Sequence, residues 1–202
     1  MNTPSNPDDR MALNPFADLF NHTDADGCGV AFGPEGYTII ANQDIESGEE
    51  IYISYGSHSN DFLLTEYGFI LPENRWDEIS LDPYILPLLS ENQKEGLDDV
   101  GFLGKYVLDN NTVCYRTQVA LRAIFLPMKQ LQRFLNGQDD GERDQSTVNQ
   151  FLIKVLDSHL KDAEKKLKRL RKVDCGLASQ RETLSRRWHQ IRLLLITTKS
   201  RM

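Results

Sequence analysis

The stretch Gly48-Glu49-Glu50-Ile51-Tyr52-Ile53-Ser54-Tyr55-Gly56 decides the fold of the first part of the chain. Its centre is β-branched and aromatic, which is typical of a short strand, and its Gly and Glu start suits a turn. Two similar runs precede it at residues 29–32 and 37–41, and the Gly-Pro-Glu-Gly segment 33–36 separates them. The sequence therefore predicts three short strands joined by turns.

Helical signals flank these strands. Residues 12–20 predict a short buried helix or turn, with Pro15 where a first helical turn tolerates it, running into Asn21-His22. After the strands, Asn60 can cap a helix that ends at Gly68. Residues 75–82 then predict a connector with room for one strand.

The rest of the chain predicts helices. Residues 84–89 and 118–135 have helical patterns, the second broken at Pro127, and residues 137–141 predict a polar surface loop. Apolar residues then recur in steps of three and four from Val148 to Leu170, and again from Leu184 to Leu195. Two long amphipathic helices packed as an antiparallel hairpin follow from this pattern.

The net charge of −7 is unevenly distributed. Residues 1–110 hold 21 acidic and 4 basic side chains, whereas residues 111–202 hold 9 and 19. An acidic first part suits a cationic partner such as a lysine-rich segment, although a solvated surface explains the same split equally well. No apolar run is long enough to span a bilayer, and the N-terminus has no apolar signal core, so an intracellular location, in the cytoplasm, the nucleus or both, is the expectation.

Metal and nucleic-acid sites are not indicated. The three cysteines lie far apart, which predicts reduced and partly buried thiols, and His58, His159 and His189 lack metal spacing and are expected on the surface or on helix faces. The basic run 165–172 continues the apolar stripe of its helix, which favours a solvated helix face over a phosphate-binding patch. We therefore expect no metal, no membrane and no nucleic-acid partner.

Three short motifs carry the functional argument: Asn21-His22, the stretch 48–56, and Glu66-Tyr67-Gly68-Phe69. Each alone has an ordinary structural explanation, since Asn-His suits a turn and tyrosines commonly fill a core. In this order and at these spacings they resemble the SET-domain protein-lysine methyltransferases, in particular the branch typified by the Rubisco large-subunit methyltransferase. The likeness covers essentially the whole chain and is strongest between Ala12 and Pro72.

The resemblance implies an α+β fold. Residues 1–76 would form the C-terminal part of a SET domain, whose short strands include a pseudoknot that threads the tyrosine segment beneath the loop holding Asn21-His22. Residues 77–202 would form an all-α substrate-binding domain that ends in the long antiparallel hairpin. The partner implied is a protein with a target lysine, although some members of the family modify histidine.

The resemblance also implies site residues. Asn21 and His22 match the pair that meets S-adenosylmethionine, and Phe69 resembles an aromatic that packs near the cofactor or the lysine channel. Tyr55 resembles the active-site tyrosine and Tyr67 a second channel tyrosine. These residue types suit methyl transfer, because a neutral phenol can hydrogen-bond the amine nucleophile and aromatic faces attract its cation.

The sequence departs from the family before Asn21. A complete SET domain begins with strands and a Gly-rich segment around the donor's methionine tail, and no such segment precedes Met11 here. Two hypotheses follow: a fragment or truncated form of an active methyltransferase, or a non-catalytic SET-derived module that binds a protein. We expect the isolated chain to bind the donor weakly or not at all.

Overall fold

The computed structural model describes residues 16–25, 27–34 and 36–202, which form two compact units. The first unit runs to His58 and the second from Ser59 to Met202. The buried hydrophobic cluster that forms the main core lies in the second unit. Each unit has its own architecture, described in turn below.

The first unit consists of paired short strands. Strands β1 (Asn21–His22) and β4 (Tyr52–Ile53) pair in parallel, whereas β2 (Gly29–Gly33) and β3 (Gly36–Ile40) form an antiparallel hairpin. The three strands predicted around residues 29–32, 37–41 and 51–55 are thereby confirmed.

A 3₁₀ turn, Ala17–Leu19, precedes β1. The prediction of a buried helix or turn at residues 12–20 was wrong about burial, because Phe16 and Leu19 are 79% and 75% exposed. Residues 12–15 of that prediction lie outside the described residues.

The second unit is predominantly helical. Its elements are α1 (Asn60–Glu66), β5 (Glu78–Ser80), α2 (Asp82–Ile85), a 3₁₀ turn (Leu86–Leu88), α3 (Glu91–Asp99), β6 (Val107–Asp109), α4 (Tyr115–Ala123), α5 (Met128–Leu135), a 3₁₀ turn (Glu142–Asp144), α6 (Gln145–Leu170) and α7 (Ala178–Ser200). Strands β5 and β6 form an antiparallel pair. The predicted α+β class holds. Strand β5 lies in the connector 75–82, where one strand was predicted, and β6 is an addition to a region expected to be all-α.

The long hairpin is confirmed. The Lys199 ammonium contacts the Asp157 carboxylate, and Lys166 lies over the ring of Trp188, so contacts late on α6 fall early on α7, as antiparallel packing requires. Leu167 is buried while its neighbours in the basic run are exposed, in agreement with a solvated helix face. The predicted break at Pro127 is also present, because Pro127 caps α5.

Helix α1 begins differently from the prediction. Ser59, not Asn60, is the cap, and its hydroxyl accepts a hydrogen bond from the Phe62 N–H at 3.4 Å. The buried Asn60 amide instead bonds to the Leu71 backbone and to Gln190 on α7. These bonds join α1 and the segment after it to the helical unit.

The boundary between the compact units therefore differs from the proposed domain boundary at 76/77. Residues 59–76 pack with the helices through the Asn60 network, although the family resemblance assigns them to the SET domain. Residues 1–76 and 77–202 remain our proposal for the two homologous domains.

The loop 137–141 is held by a buried arginine that the sequence pattern did not reveal. Arg122 is 2% exposed, donates from Nη2 to the Gly141 carbonyl at 3.1 Å, and lies 4.2 Å from the ring centroid of Phe134. Gly141 has a φ of 75°, and a Cβ there would lie 2.6 Å from Arg122 Nη2. The guanidinium thus requires glycine at this position.

We expect Gly141→Ala to lower the free energy of unfolding by about 2 kcal/mol, from left-handed strain plus overpacking. Gly137→Ala is the matched control, since Gly137 also has a positive φ of 69° but open space around its Cα. The control should lose only the backbone contribution, about 1 kcal/mol. Urea titration of both variants measures the two losses of unfolding free energy. Equal losses would show that the Arg122 side chain moves aside at no cost.

Candidate active site

The structure places Asn21-His22 directly beside the tyrosine-bearing stretch. In the parallel β1–β4 pair, Asn21 is opposite Tyr52 and His22 is opposite Ile53. The Thr23 N–H donates to the Ile53 carbonyl at 3.0 Å, and the Cys28 N–H donates to the Tyr52 carbonyl at 2.8 Å. Segments about thirty residues apart in sequence therefore share one backbone framework.

His22 is buried against Tyr55. The imidazole is 7% exposed, and its ring stacks on the Tyr55 ring with 5.2 Å between centroids. Its Nδ1 accepts a hydrogen bond from the Tyr55 N–H at 3.1 Å, so the neutral ring carries its proton on Nε2. Burial lowers the pKa of His22, which favours this neutral form.

The Tyr55 side chain is also fixed at its far end. Its hydroxyl donates to the Phe20 carbonyl at 2.6 Å, one residue before Asn21. A ring nitrogen of His58 lies 3.0 Å from the Tyr55 carbonyl. The phenol is therefore held in one orientation beside the Asn-His motif. A fixed orientation of this kind is what allows a side chain to meet a reacting atom.

Asn21 belongs to a second, more exposed cluster with Glu50 and Tyr52. The Asn21 Nδ2 donates to one Glu50 oxygen, and the Tyr52 hydroxyl donates to the other at 2.6 Å. The hydrogen bond from Tyr52, followed by that from Asn21, lowers the pKa of the Glu50 carboxyl. An ionised carboxylate beside the Asn21 amide gives this edge a preference for a cationic ligand group.

Sequence reasoning missed Glu50. The residue was part of the quoted stretch 48–56, but nothing in the pattern distinguished it from Glu49, which hydrogen-bonds within the turn to the Glu46 N–H. Its position two residues before Tyr52 was the available signal, because residues two apart on a strand share a face.

Tyr67 and Phe69 lie in the second unit. Their ring centroids are 6.2 Å apart, and Tyr67 also lies 6.4 Å from the ring of Phe62. Tyr67 is 49% exposed, and Gly68 between the two rings has a φ of 81°, which lets the chain leave α1 sharply. The structure thus brings these two predicted residues together, while the channel that they would share with Tyr55 of the first unit remains a prediction.

The sequence indicates no metal site, and the structure bears on this only for the residues that it describes. Among the residues that the structure describes, no group of three or more His, Cys, Asp or Glu could hold a metal ion. The three cysteines are free thiols, with Cys28 buried, Cys114 half-buried and Cys175 exposed. His159 corrects the expectation for the histidines: it is on a helix face but buried, with 6% exposure.

Comparison with known families addresses the origin of this arrangement. Residues 77–198 match the model of the ribosomal lysine N-methyltransferase 2 C-terminal domain, and residues 4–56 match the SET domain. The first match covers more than half of the chain. The chain belongs to this family of SET-domain lysine methyltransferases.

Individual relatives agree with the family assignment. The chain is 31% identical over 183 residues to ribosomal lysine N-methyltransferase set11 of Schizosaccharomyces pombe, covering 85% of this chain and 48% of that protein. It is 30% identical over 112 residues to ribosomal lysine N-methyltransferase 2 of Saccharomyces cerevisiae, covering 54% and 23%. The chain thus spans about half the length of the first relative and less of the second.

A solved structure shows the same fold. The structure of Rubisco LSMT bound to sinefungin and monomethyllysine superposes with a TM-score of 0.52 at 16% identity, covering 93% of this chain and 48% of that chain.

Within the described part of the present chain, no helix is long and apolar enough to cross a membrane.

Proposed function

We propose that this family member takes part in S-adenosylmethionine-dependent methylation of a lysine side chain on a protein substrate. The observation that carries the proposal is the contact between the Asn21-His22 motif and the stretch 48–56: Tyr55 stacks on His22 and donates a backbone hydrogen bond to its ring. The names of the relatives support the reaction class and a ribosomal protein as the substrate class. An intracellular location would follow from such a substrate.

The residues present fit one end of the donor. Asn21 uses its Nδ2 on Glu50, and within the described residues its side-chain carbonyl oxygen is left as an acceptor for an ammonium group. The Glu50 carboxylate adds negative charge at the same edge. S-adenosylmethionine, when bound, would supply a methyl group activated on a sulfonium, and Asn21 with the His22 backbone would hold it.

The tyrosines would act on the lysine. We assign Tyr55 the role of orienting the neutral amine through its hydroxyl, which its contact with Phe20 keeps fixed. Tyr67 and Phe69 would line the channel, where their ring faces attract the substrate cation before and after transfer. Phe69 would pack near the cofactor end of that channel.

The proposal is tested by transfer of a labelled methyl group to a lysine-rich ribosomal protein. We expect Tyr55→Phe to reduce the rate by about 10²-fold, because the amine would lose the hydroxyl oxygen that accepts its hydrogen bond and orients it. Tyr37→Phe on β3 is the control and should keep its rate, because Tyr37 packs on Phe32 of the hairpin away from His22.

Two results would contradict the proposal. Equal rates for wild type and Tyr55→Phe would remove Tyr55 from the site. Absence of transfer by the wild-type chain, with a protein partner still bound, would instead favour the non-catalytic binding module.

A further inference from the structure

A cavity of about 230 Å³ lies in the second unit, apart from the residues assigned to methyl transfer. We call it the Trp188 cavity. Six polar or aromatic residues from α1, α2, α6 and α7 line it: Asp61, Tyr84, His159, Lys166, Arg187 and Trp188. Leu64, Ile79, Leu184 and Ile191 give the remaining wall an apolar character.

Flat rings dominate the wall. Tyr84 and His159 stack with 4.5 Å between centroids and 22° between planes. Lys166 Nζ lies 4.2 Å from the ring centroid of Trp188. The cavity is smaller than the roughly 300–1,000 Å³ of pockets for drug-sized ligands, so its size suits a molecule with a single ring or a single side chain.

Two nitrogens in this wall lack partners. Among the described residues, neither His159 Nδ1 nor Arg187 Nη2 has a hydrogen-bond partner, and both atoms are closed to bulk water. A buried polar group left without a partner destabilises the folded state. A third such nitrogen, Arg122 Nε, lies outside this cavity, but His159 and Arg187 both belong to its wall, which indicates that a polar molecule belongs there.

The charge of the cavity wall indicates which kind of polar group the bound molecule would carry. Asp61 and Asp77 both pair with Arg187, at Nε and Nη1, with each contact 2.7 Å long. Lys166 forms no ion pair within 4 Å of any described residue, and its acidic neighbour Asp162, one turn earlier, already bonds to Lys165. Lys166 and Arg187 Nη2 therefore offer N–H donors, whereas the Asp61 carboxylate of the same wall already accepts from Arg187 Nε.

We propose that the Trp188 cavity binds a small planar carboxylate, with its ring among Tyr84, His159 and Trp188 and its oxygens toward Lys166 and Arg187. A carboxylate has acceptors only, which complements this donor-rich wall. The binding would be a function of the helical unit in its own right and does not depend on methyl transfer.

Calorimetry with the full chain tests the proposal, using phenylacetate as the probe. Phenylacetamide and phenethylammonium have the same ring with a neutral and a cationic head. We expect phenylacetate to bind at least about tenfold more tightly than phenylacetamide, the effect of a charge-assisted hydrogen bond, and phenethylammonium not to bind. The Trp188 indole N–H signal in NMR spectra should move on binding, while that of Trp76 stays in place.

Variants at the rim locate the site without disturbing the fold. Lys166→Met should weaken phenylacetate binding about tenfold, whereas Lys165→Met, at an exposed position outside the wall, should not. Leu184→Trp should block the cavity, and Leu193→Trp, on the same helix and 66% exposed, should leave binding unchanged.

A peptide distinguishes the two sources of such a carboxylate. If acetyl-Gly-Phe with a free C-terminus binds and its C-terminal amide does not, the ligand is the end of a protein chain; binding of phenylacetate alone indicates a free acid. No phenylacetate binding, equal binding of phenylacetate and phenylacetamide, or binding unchanged in both Lys166→Met and Leu184→Trp would overturn the proposal.

Discussion

Replacing Arg187 by methionine should lower the free energy of unfolding of the second unit by about 3–5 kcal/mol, the usual cost of removing one member of a buried ion pair. Arg187 is 1% exposed and bonds to both Asp61 and Asp77. Without it, the Asp77 carboxylate, at 8% exposure, would remain buried and charged, and among the described residues the Asn60 N–H would be its remaining hydrogen-bond donor. The loss of stability is large because the Asp77 carboxylate stays in the folded protein after its cationic partner is removed.

The neighbouring residue supplies the control. Arg186 pairs with Glu182 on the exposed side of α7, where both side chains are more than 60% exposed. Arg186→Met should therefore cost about 0.5 kcal/mol or less. Urea unfolding of both variants is the measurement, and a loss below about 1 kcal/mol for Arg187→Met would show that the ion pairs do not hold α1 to α7.

The second large effect is a dependence of stability on pH that originates at His159. Burial, followed by repulsion from Lys166, lowers the pKa of His159 to about 4. In the unfolded chain the same ring has a pKa near 6.5, so between these values the unfolded state binds the proton and the native state does not. Stability should be unaffected by this ring above pH of about 6.5 and fall by about 3 kcal/mol as the pH decreases to about 4.

His159→Phe isolates this contribution, because a phenyl ring can keep the stack on Tyr84 and has no proton to bind. We expect the difference in unfolding free energy between wild type and His159→Phe to change across this pH range. His189→Phe, at an exposed position on the next helix, is the control for the exchange of an imidazole for a phenyl ring. A parallel pH profile for wild type and His159→Phe would mean that His159 is not buried in its neutral form.

The long helices could be predicted from the sequence because their burial is periodic. Val148, Leu152, Val155, Ala163 and Leu167 are buried at the positions that the stripe of apolar residues requires. The same periodicity also indicated, less clearly, two polar residues on the buried face. His159 is three residues after the buried Leu156, and Arg187 is four before the buried Ile191, so both occupy positions on the inward face.

The polar contacts could not be predicted in the same way. The bonds from Arg187 to Asp61 and Asp77 join residues more than 100 apart in sequence, and no local pattern encodes such pairs. For the candidate site, the order of the motifs indicated Asn21, His22 and Tyr55. The register that sets His22 opposite Ile53, and the bonds of Asn21 and Tyr52 to Glu50, required the structure.

Donor binding at the Asn21-His22 edge is tested most directly by an NMR titration of the isotope-labelled chain with S-adenosylmethionine, which detects weak binding. We predict low-affinity binding, with shifts of the Asn21 side-chain amide and of the backbone amides of His22 and Tyr55. These shifts should be lost in Asn21→Ala, which keeps the β1–β4 backbone pairing. Unchanged signals at all three residues under high donor concentration, or shifts confined to the second unit, would contradict it.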